Sequence, residues 1–194
     1  DSNSLSLIDL TPNPPVLLGS PIPVGAPPTD VAVDNVRNLA VVANNGDGTT
    51  GSVAVIGLNT RMDVSGSPIT ANINPTKAPV SVGVNPLTGL AIVTYQSTNV
   101  ASLIDLKLSP PAVVGSVNIS TGPNPKVAVE PALNWAVVTP GGQGSLSIVD
   151  LARQSSNTIA AAPQGASRSA NTVTITMTAA HNLQPNEAVL IAGV

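Results

Sequence analysis

The chain has 194 residues, of which 42% are hydrophobic and only 9% charged, with a formal net charge of −3. No cluster of Lys or Arg supplies the positive surface that a phosphate backbone needs, so nucleic acid is not an expected partner. No apolar run reaches the roughly 18 residues of a membrane-spanning helix, so a soluble chain without membrane insertion is expected.

The core must be aliphatic, because there is no Phe, one Trp and one Tyr. Val, Ile, Leu and Ala suit thin packed layers of sheet better than a helical bundle. With charge far below the roughly 25% of an ordinary domain, the polar surface falls to Ser, Thr, Asn and Gly. The 19 Pro and 16 Gly lie between apolar runs and read as turns. Absence of Cys leaves the redox compartment open. The start at Asp1, without Met or a signal peptide, predicts a processed chain or part of a longer one.

Taken in order, the first elements are "SLSLIDL" (4–10) and an apolar stretch running to residue 23, two strand candidates. Then come "TDVAVD" (29–34), "NLAVVAN" (38–44) and "SVAVIGL" (52–58), and the first full set of four strands is predicted at 30–34, 38–44, 51–58 and 63–70. The set returns as "VSVGVN" (80–85), "GLAIVTY" (89–95) and "VASLIDL" (100–106). It returns again as "PKVAVE" (125–130), "NWAVVTP" (134–140) and "SLSIVDL" (145–151). Pro-containing loops precede each copy: "VGAPP", "NPTKAP" and "TGPNP". Aligning Asp9, Gly57, Asp105 and Asp150 gives spacings of 48, 48 and 45 residues. Each copy alternates short apolar runs with turns and lacks a 3.6-residue period, so it is a four-stranded antiparallel unit. Both faces of "VAV" and "LAVV" are apolar, as in a sheet held between two neighbours. Small Ala32, Ala40, Ala91, Ala128 and Ala136 would let inner strands crowd together.

A repeat of four strands in roughly 40–50 residues describes a β-propeller blade. The order "P..VAV.....LAVVAN......VIDL" resembles the YVTN-type propeller repeat of bacterial and archaeal surface proteins, related to the NHL and WD groups. It departs from that pattern where "AVVAN" and "AIVTY" replace the usual Tyr-Val motif, and at Gly57 in place of Asp. The resemblance and the low-charge surface imply a secreted or surface-displayed chain. The expected fold is all-β: an outer half-blade in 1–23, three full blades within 24–165 (30–70, 80–119 and 126–160), and a C-terminal β-hairpin in 166–194. That last segment, "NTVTITMTAAHNLQPNEAVLIAGV" (171–194), resembles the opening hairpin of a small β-module of bacterial surface and phage-tail-like proteins.

Three blades and a half do not close the usual ring of about four to eight. The chain is a piece of a tandem array, or an open arc completed by strands of a neighbouring chain, or a compact four-bladed ring whose C-terminal hairpin completes the first blade. The first is preferred and the second comes next.

Chemistry-bearing residues are sparse. His181, the one histidine, shares its neighbourhood with no acid or nucleophile and reads as a turn residue, so no catalytic residue, no cofactor and no metal are assigned. "NNGDGTTG" (44–51) offers Asn44, Asn45 and Asp47 oxygens but lacks the alternating acids and distal Glu of a calcium loop. Asp9, Asp105 and Asp150 hold one repeat position and are expected to cap turn N–H groups. "NIS" (118–120) matches a glycosylation acceptor but falls in a predicted strand. A partner surface on the ring face is assigned by position to Asp30, Arg37, Lys77, Lys126 and Asn134.

The function expected from these features is that of a non-enzymatic scaffold, adhesin or filament subunit whose partners are copies of itself or a surface protein or glycan. A ring-face binding module is the alternative, and a lactonase-like propeller hydrolase the third.

Overall fold

The computed structural model describes residues 3–25, 27–46, 51–70, 77–142, 144–153, 155–159, 166–169 and 172–175. Among these residues every regular element is a strand. They are β1 (Ser4–Leu5), β2 (Ile8–Asp9), β3 (Val16–Leu17), β4 (Ile22–Pro23), β5 (Pro28–Asp34), β6 (Leu39–Asn44), β7 (Ser52–Gly57) and β8 (Met62–Asp63). There follow β9 (Pro79–Asn85), β10 (Leu90–Tyr95), β11 (Thr98–Asp105), β12 (Ala112–Gly122), β13 (Lys126–Glu130), β14 (Trp135–Thr139), β15 (Leu146–Asp150) and β16 (Ser155–Ile159). β17 (Ala166–Ser169) and β18 (Thr172–Ile175) come last.

Three sheets each run through four consecutive antiparallel strands, β5 to β8, β9 to β12 and β13 to β16. These are three propeller blades. β1 pairs with β4 and β2 with β3, forming one interrupted hairpin that is the outer half of a further blade. Among the described residues the sheets stand in series and do not close a ring; inner strand β9 lies between inner strands β5 and β13.

Local chemistry explains why the turns recur. Asp34 accepts hydrogen bonds from the N–H groups of Val36 and Arg37, Asn85 from Leu87 and Thr88, and Glu130 from Ala132. Each of these turns ends in a left-handed residue, Asn38 (φ 54°), Gly89 (φ 72°) or Asn134 (φ 56°), a conformation that Gly and Asn adopt most readily. The carbonyls of those three residues accept from the N–H of Leu58, Leu106 and Leu151, tying the end of the third strand to the turn between the first two. The third-strand acids work the same way: Asp9 accepts from the Thr11 N–H, Asp105 from Lys107, and Asp150 from Ala152 and Arg153. Gly57 takes this position in the first full blade, where its carbonyl accepts from the Thr60 hydroxyl and the Arg61 N–H.

Asp9 gives a testable consequence. The Thr11 hydroxyl, and then the Thr11 N–H, hold its carboxyl below the ordinary aspartate range. A depressed folded-state pKa contributes stability above the unfolded-state pKa, lost as pH falls through the folded one. Thr11→Val should move Asp9 back upward in an NMR carboxyl titration. An unchanged titration would mean that the hydroxyl does not set it.

The fourth strand of the first blade differs from expectation. A continuous strand over 63–70 is replaced by β8 and an isolated bridge between Ile69 and Val53. Pro68 cannot donate to a ladder, and Gly66 turns the chain at φ 81°. Ser67 Oγ accepts the Val55 N–H at 2.9 Å, standing in for a ladder partner between β8 and the Ile69 bridge. In the C-terminal segment, Thr172–Ile175 pairs with Ala166–Ser169, a partner that alternation did not identify. The "HNLQPNE" turn, the last apolar run and His181 lie outside the described residues.

Packing follows strand alternation. On β6, Val41 and Ala43 face the second blade while Ala40 and Val42 face the N-terminal hairpin. On β10, Ala91, Val93 and Tyr95 face the first blade and Ile92 the third. Residues along a strand thus feed two different cores, so each inner sheet is buried on both sides. Ala40, Ala91 and Ala136 are fully buried in this way, whereas Ala32 is half-buried and Ala128 exposed.

Candidate protein-interaction site

The five residues assigned to a ring face do not share one. Asp30 and Lys126 occupy the same position near the start of inner strands β5 and β13, and Lys77 precedes β9. Arg37 and Asn134 lie in the turns after β5 and β13, at the opposite end of those strands.

Three of the five are committed to neighbouring blades. Asp30 Oδ2 accepts from Ser81 Oγ and from the Val82 N–H, and Ser81 Oγ in turn accepts from the Val127 N–H. A polar ladder therefore crosses all three inner strands. At the other end, Arg37 pairs with the buried Asp34 at 2.9 Å and donates to the Pro86 carbonyl at 2.9 Å. Asn85 makes the equivalent link onward, donating to Asn134 Oδ1 at 2.6 Å and to the Pro131 carbonyl. Thr29 and Thr94 hydroxyls donate to the Pro79 and Pro125 carbonyls of the next blade. Such side chains are occupied in holding blades in register, since breaking a buried hydrogen bond leaves its partner desolvated. Lys126 remains exposed and Lys77 half-buried.

In the loop weighed for calcium, the side-chain nitrogens are engaged, while Asn44 Oδ1 is buried without a hydrogen-bond partner. Asn44 donates its amide to the Val24 carbonyl at 2.7 Å, and Asn45 donates to the Pro79 carbonyl at 3.3 Å. Asp47 lies outside the described residues. Among the described residues there is no group of three or more His, Cys, Asp or Glu side chains placed to hold a metal ion.

A different surface stands out. Among the described residues, β1 and β2 are paired on one side only, through β4 and β3. Among the described residues their other edge has no strand partner. Val31 and Val33 on β5 are 45% and 52% exposed, while Val82 and Val84 at the same positions of β9 are 4% and 7% exposed. Those of β9 are covered by the first blade, and Val31 of β5 stands beside Ser4 and Leu5 of the two-stranded N-terminal sheet. Between them lies a cleft of about 320 Å³, lined by Ser4, Leu5, Val24, Pro28, Thr29, Asp30, Val31 and Val42. An apolar wall beside a free strand edge is suited to accept backbone and aliphatic side chains together. Of the five sequence-assigned residues only Asp30 borders this cleft. The signal that could have found it was the count of two strands in the first copy against four in the others.

No family model matches the chain, and no curated protein matches it. Solved structures do. One is hydrazine synthase of Kuenenia stuttgartiensis, 14% identical with a TM-score of 0.53, the match covering 66% of this chain and 34% of that one. Another is a chain of a nidogen/laminin complex, 12% identical with a TM-score of 0.57, covering 84% of this chain and 60% of that one. The chain thus spans about a third and three-fifths of these two structures. At such identities the likeness is one of fold, and the fold hosts many functions.

Proposed function

We propose that this chain is a non-enzymatic, propeller-type interaction module of a secreted or surface-displayed structural protein, and that its working site is the cleft between β1 and β5. The cleft takes in an apolar β-hairpin, which pairs with the free edge of β1 and β2 and covers Val31 and Val33. The observation that carries this is the exposure of Val31 and Val33 beside the free edge, where Val82 and Val84 are buried. Strand addition of this kind draws affinity from backbone hydrogen bonds and specificity from alternate side chains. The low charge and the YVTN-like repeat support a place among surface proteins, and the origin of one structural neighbour in a nidogen/laminin complex supports a protein partner in general.

The hairpin that fits is of the chain's own inner-strand type, two short strands apolar on both faces. A labelled synthetic peptide of residues 79–95, which span β9 and β10, is therefore the probe. Saturable binding is expected by fluorescence anisotropy, and Val33→Asp should weaken it tenfold or more, because the carboxylate would be buried unpaired. Val33 is half exposed, so the variant should fold normally. Absence of binding, or binding indifferent to Val33→Asp, would remove the proposal.

A further inference from the structure

Each full blade turns twice at one end, first between its first and second strands and again between its third and fourth. The two turns are tied together where the Leu58, Leu106 and Leu151 N–H groups donate to the Asn38, Gly89 and Asn134 carbonyls. Large aliphatic side chains stand out from these turns: Val36, Leu87 and Leu133 from the inner kind, Leu108 and Met62, where β8 begins, from the outer. They are between 38% and 67% exposed. Among the described residues, the loops at the opposite end of the strands carry no exposed Val, Ile, Leu or Met.

The apolar row is built on a rigid base. Val36 and Leu87 follow the capping residues Asp34 and Asn85 by two positions, and Leu133 follows Glu130 by three. Beneath them Arg37 donates to the Pro86 carbonyl and Asn85 to the Pro131 carbonyl, so the spacing of the tips is fixed before any partner arrives. Blades pack through the flat faces of their sheets, whereas these turns lie at strand ends, so a blade standing beside these three leaves the row uncovered.

Charge in the same turns is settled locally. Arg37 pairs with Asp34 at 2.9 Å, Lys107 with Asp105 at 3.9 Å and Arg153 with Asp150 at 3.6 Å. These pairs leave no excess of one sign to select a highly charged partner, and they let two identical faces approach without like-charge repulsion.

We infer that two copies of this chain dock face to face through this end, related by a two-fold axis, the aliphatic tips of one set among those of the other. The turn residues at 35–38, 58–61, 86–89, 107–110, 131–134 and 152–153 fall within the roughly 20–30 residues that a stable interface uses on each side. The inner tips form its apolar centre, and Lys107 and Arg153 of the outer turns its polar rim. Because both copies use the same patch, the contact closes at two chains. This surface is separate from the Val31 and Val33 cleft, and neither assignment rests on the other.

Sedimentation velocity of the wild type over a range of concentrations should show one chain giving way to two and then levelling. Because the contact is apolar, high salt should not dissolve it. Leu87→Glu should shift the transition to at least tenfold higher concentration, since a carboxylate would be buried on each side of an apolar contact. Leu87 is exposed and its backbone N–H holds the turn, so the variant keeps the fold. Lys126→Glu, which adds negative charge at the opposite end, and Val33→Asp, which disables the cleft, should leave the transition in place. A wild type that stays one chain at all concentrations would overturn the inference, as would growth past two chains or pairing indifferent to Leu87→Glu. Pairing lost with Val33→Asp would assign the contact to the cleft instead. A single chain that cosediments with phosphatidylcholine vesicles, and no longer does so as Leu87→Glu, would give the face to a bilayer and equally overturn the pairing.

Discussion

Tyr95→Ala should destabilise the chain by about 3–5 kcal/mol, in the range of large-to-small changes in a packed core. Tyr95 is the largest fully buried side chain and sits in the cluster between the first and second blades, among Val53, Val55, Val82 and Val93. The apolar neighbours there are aliphatic and most are anchored in strands, so little can move to fill the space the ring leaves. The ring also carries a polar tip, and its hydroxyl donates to Ser102 Oγ at 2.8 Å inside the core. Tyr95→Phe separates the two contributions: it keeps the packing and removes the hydrogen bond, and should cost only about 1 kcal/mol. At roughly 2–4 °C per kcal/mol for a chain of this size, thermal melting should fall by roughly 6–20 °C for the alanine variant. A melting point unchanged by Tyr95→Ala would place the ring outside the interface between blades.

Gly122→Ala should cost about 3 kcal/mol, the upper end of what overpacking usually imposes. Gly122 closes β12, pairs with Thr98 and accepts the Ser97 N–H at 3.1 Å. A Cβ at that position would be driven into the Pro140 carbonyl, in the loop between β14 and β15 of the third blade. Because the obstacle is backbone and not the end of a flexible side chain, relief requires separating the second and third blades there. Gly142→Ala provides the contrast, since its Cβ would meet nothing within 4 Å but its φ is 104°. Conformational strain alone should cost that variant about 1 kcal/mol. Denaturant unfolding of both variants distinguishes the cases, and equal losses would mean that contact with Pro140 is not what Gly122 avoids.

Much of the architecture was legible because its causes are local. The turn after each first strand is written in Asp34, Asn85 and Glu130 and in the left-handed Asn38, Gly89 and Asn134 four residues later. The third-strand acids could be read as caps for the same reason. Where the pattern misled, a non-local or competing cause took over. Ser67 and Pro68 broke a strand that hydrophobicity alone would have continued to residue 70. The assigned interaction residues were legible as polar groups near strand ends. Their use was not, because Asp30 meets Ser81 and Arg37 meets the Pro86 carbonyl across 51 and 49 positions of sequence.

The residues by themselves determined the strands, their four-fold grouping, the turns between them and the incomplete count of strands in the first copy. These depend on neighbours along the chain: alternation of apolar side chains, hydrogen bonds over two or three residues, and the conformational limits of Pro, Gly and Asn. Only the tertiary structure decided which apolar faces are cores and which are surfaces. Ser-Leu-Ile-Asp-Leu at 6–10 and at 102–106 is one sequence, yet its Ile and second Leu are exposed in the first place and buried in the second. Burial belongs to the sheet standing opposite, and the hydrophobic driving force depends on that sheet being there to exclude water.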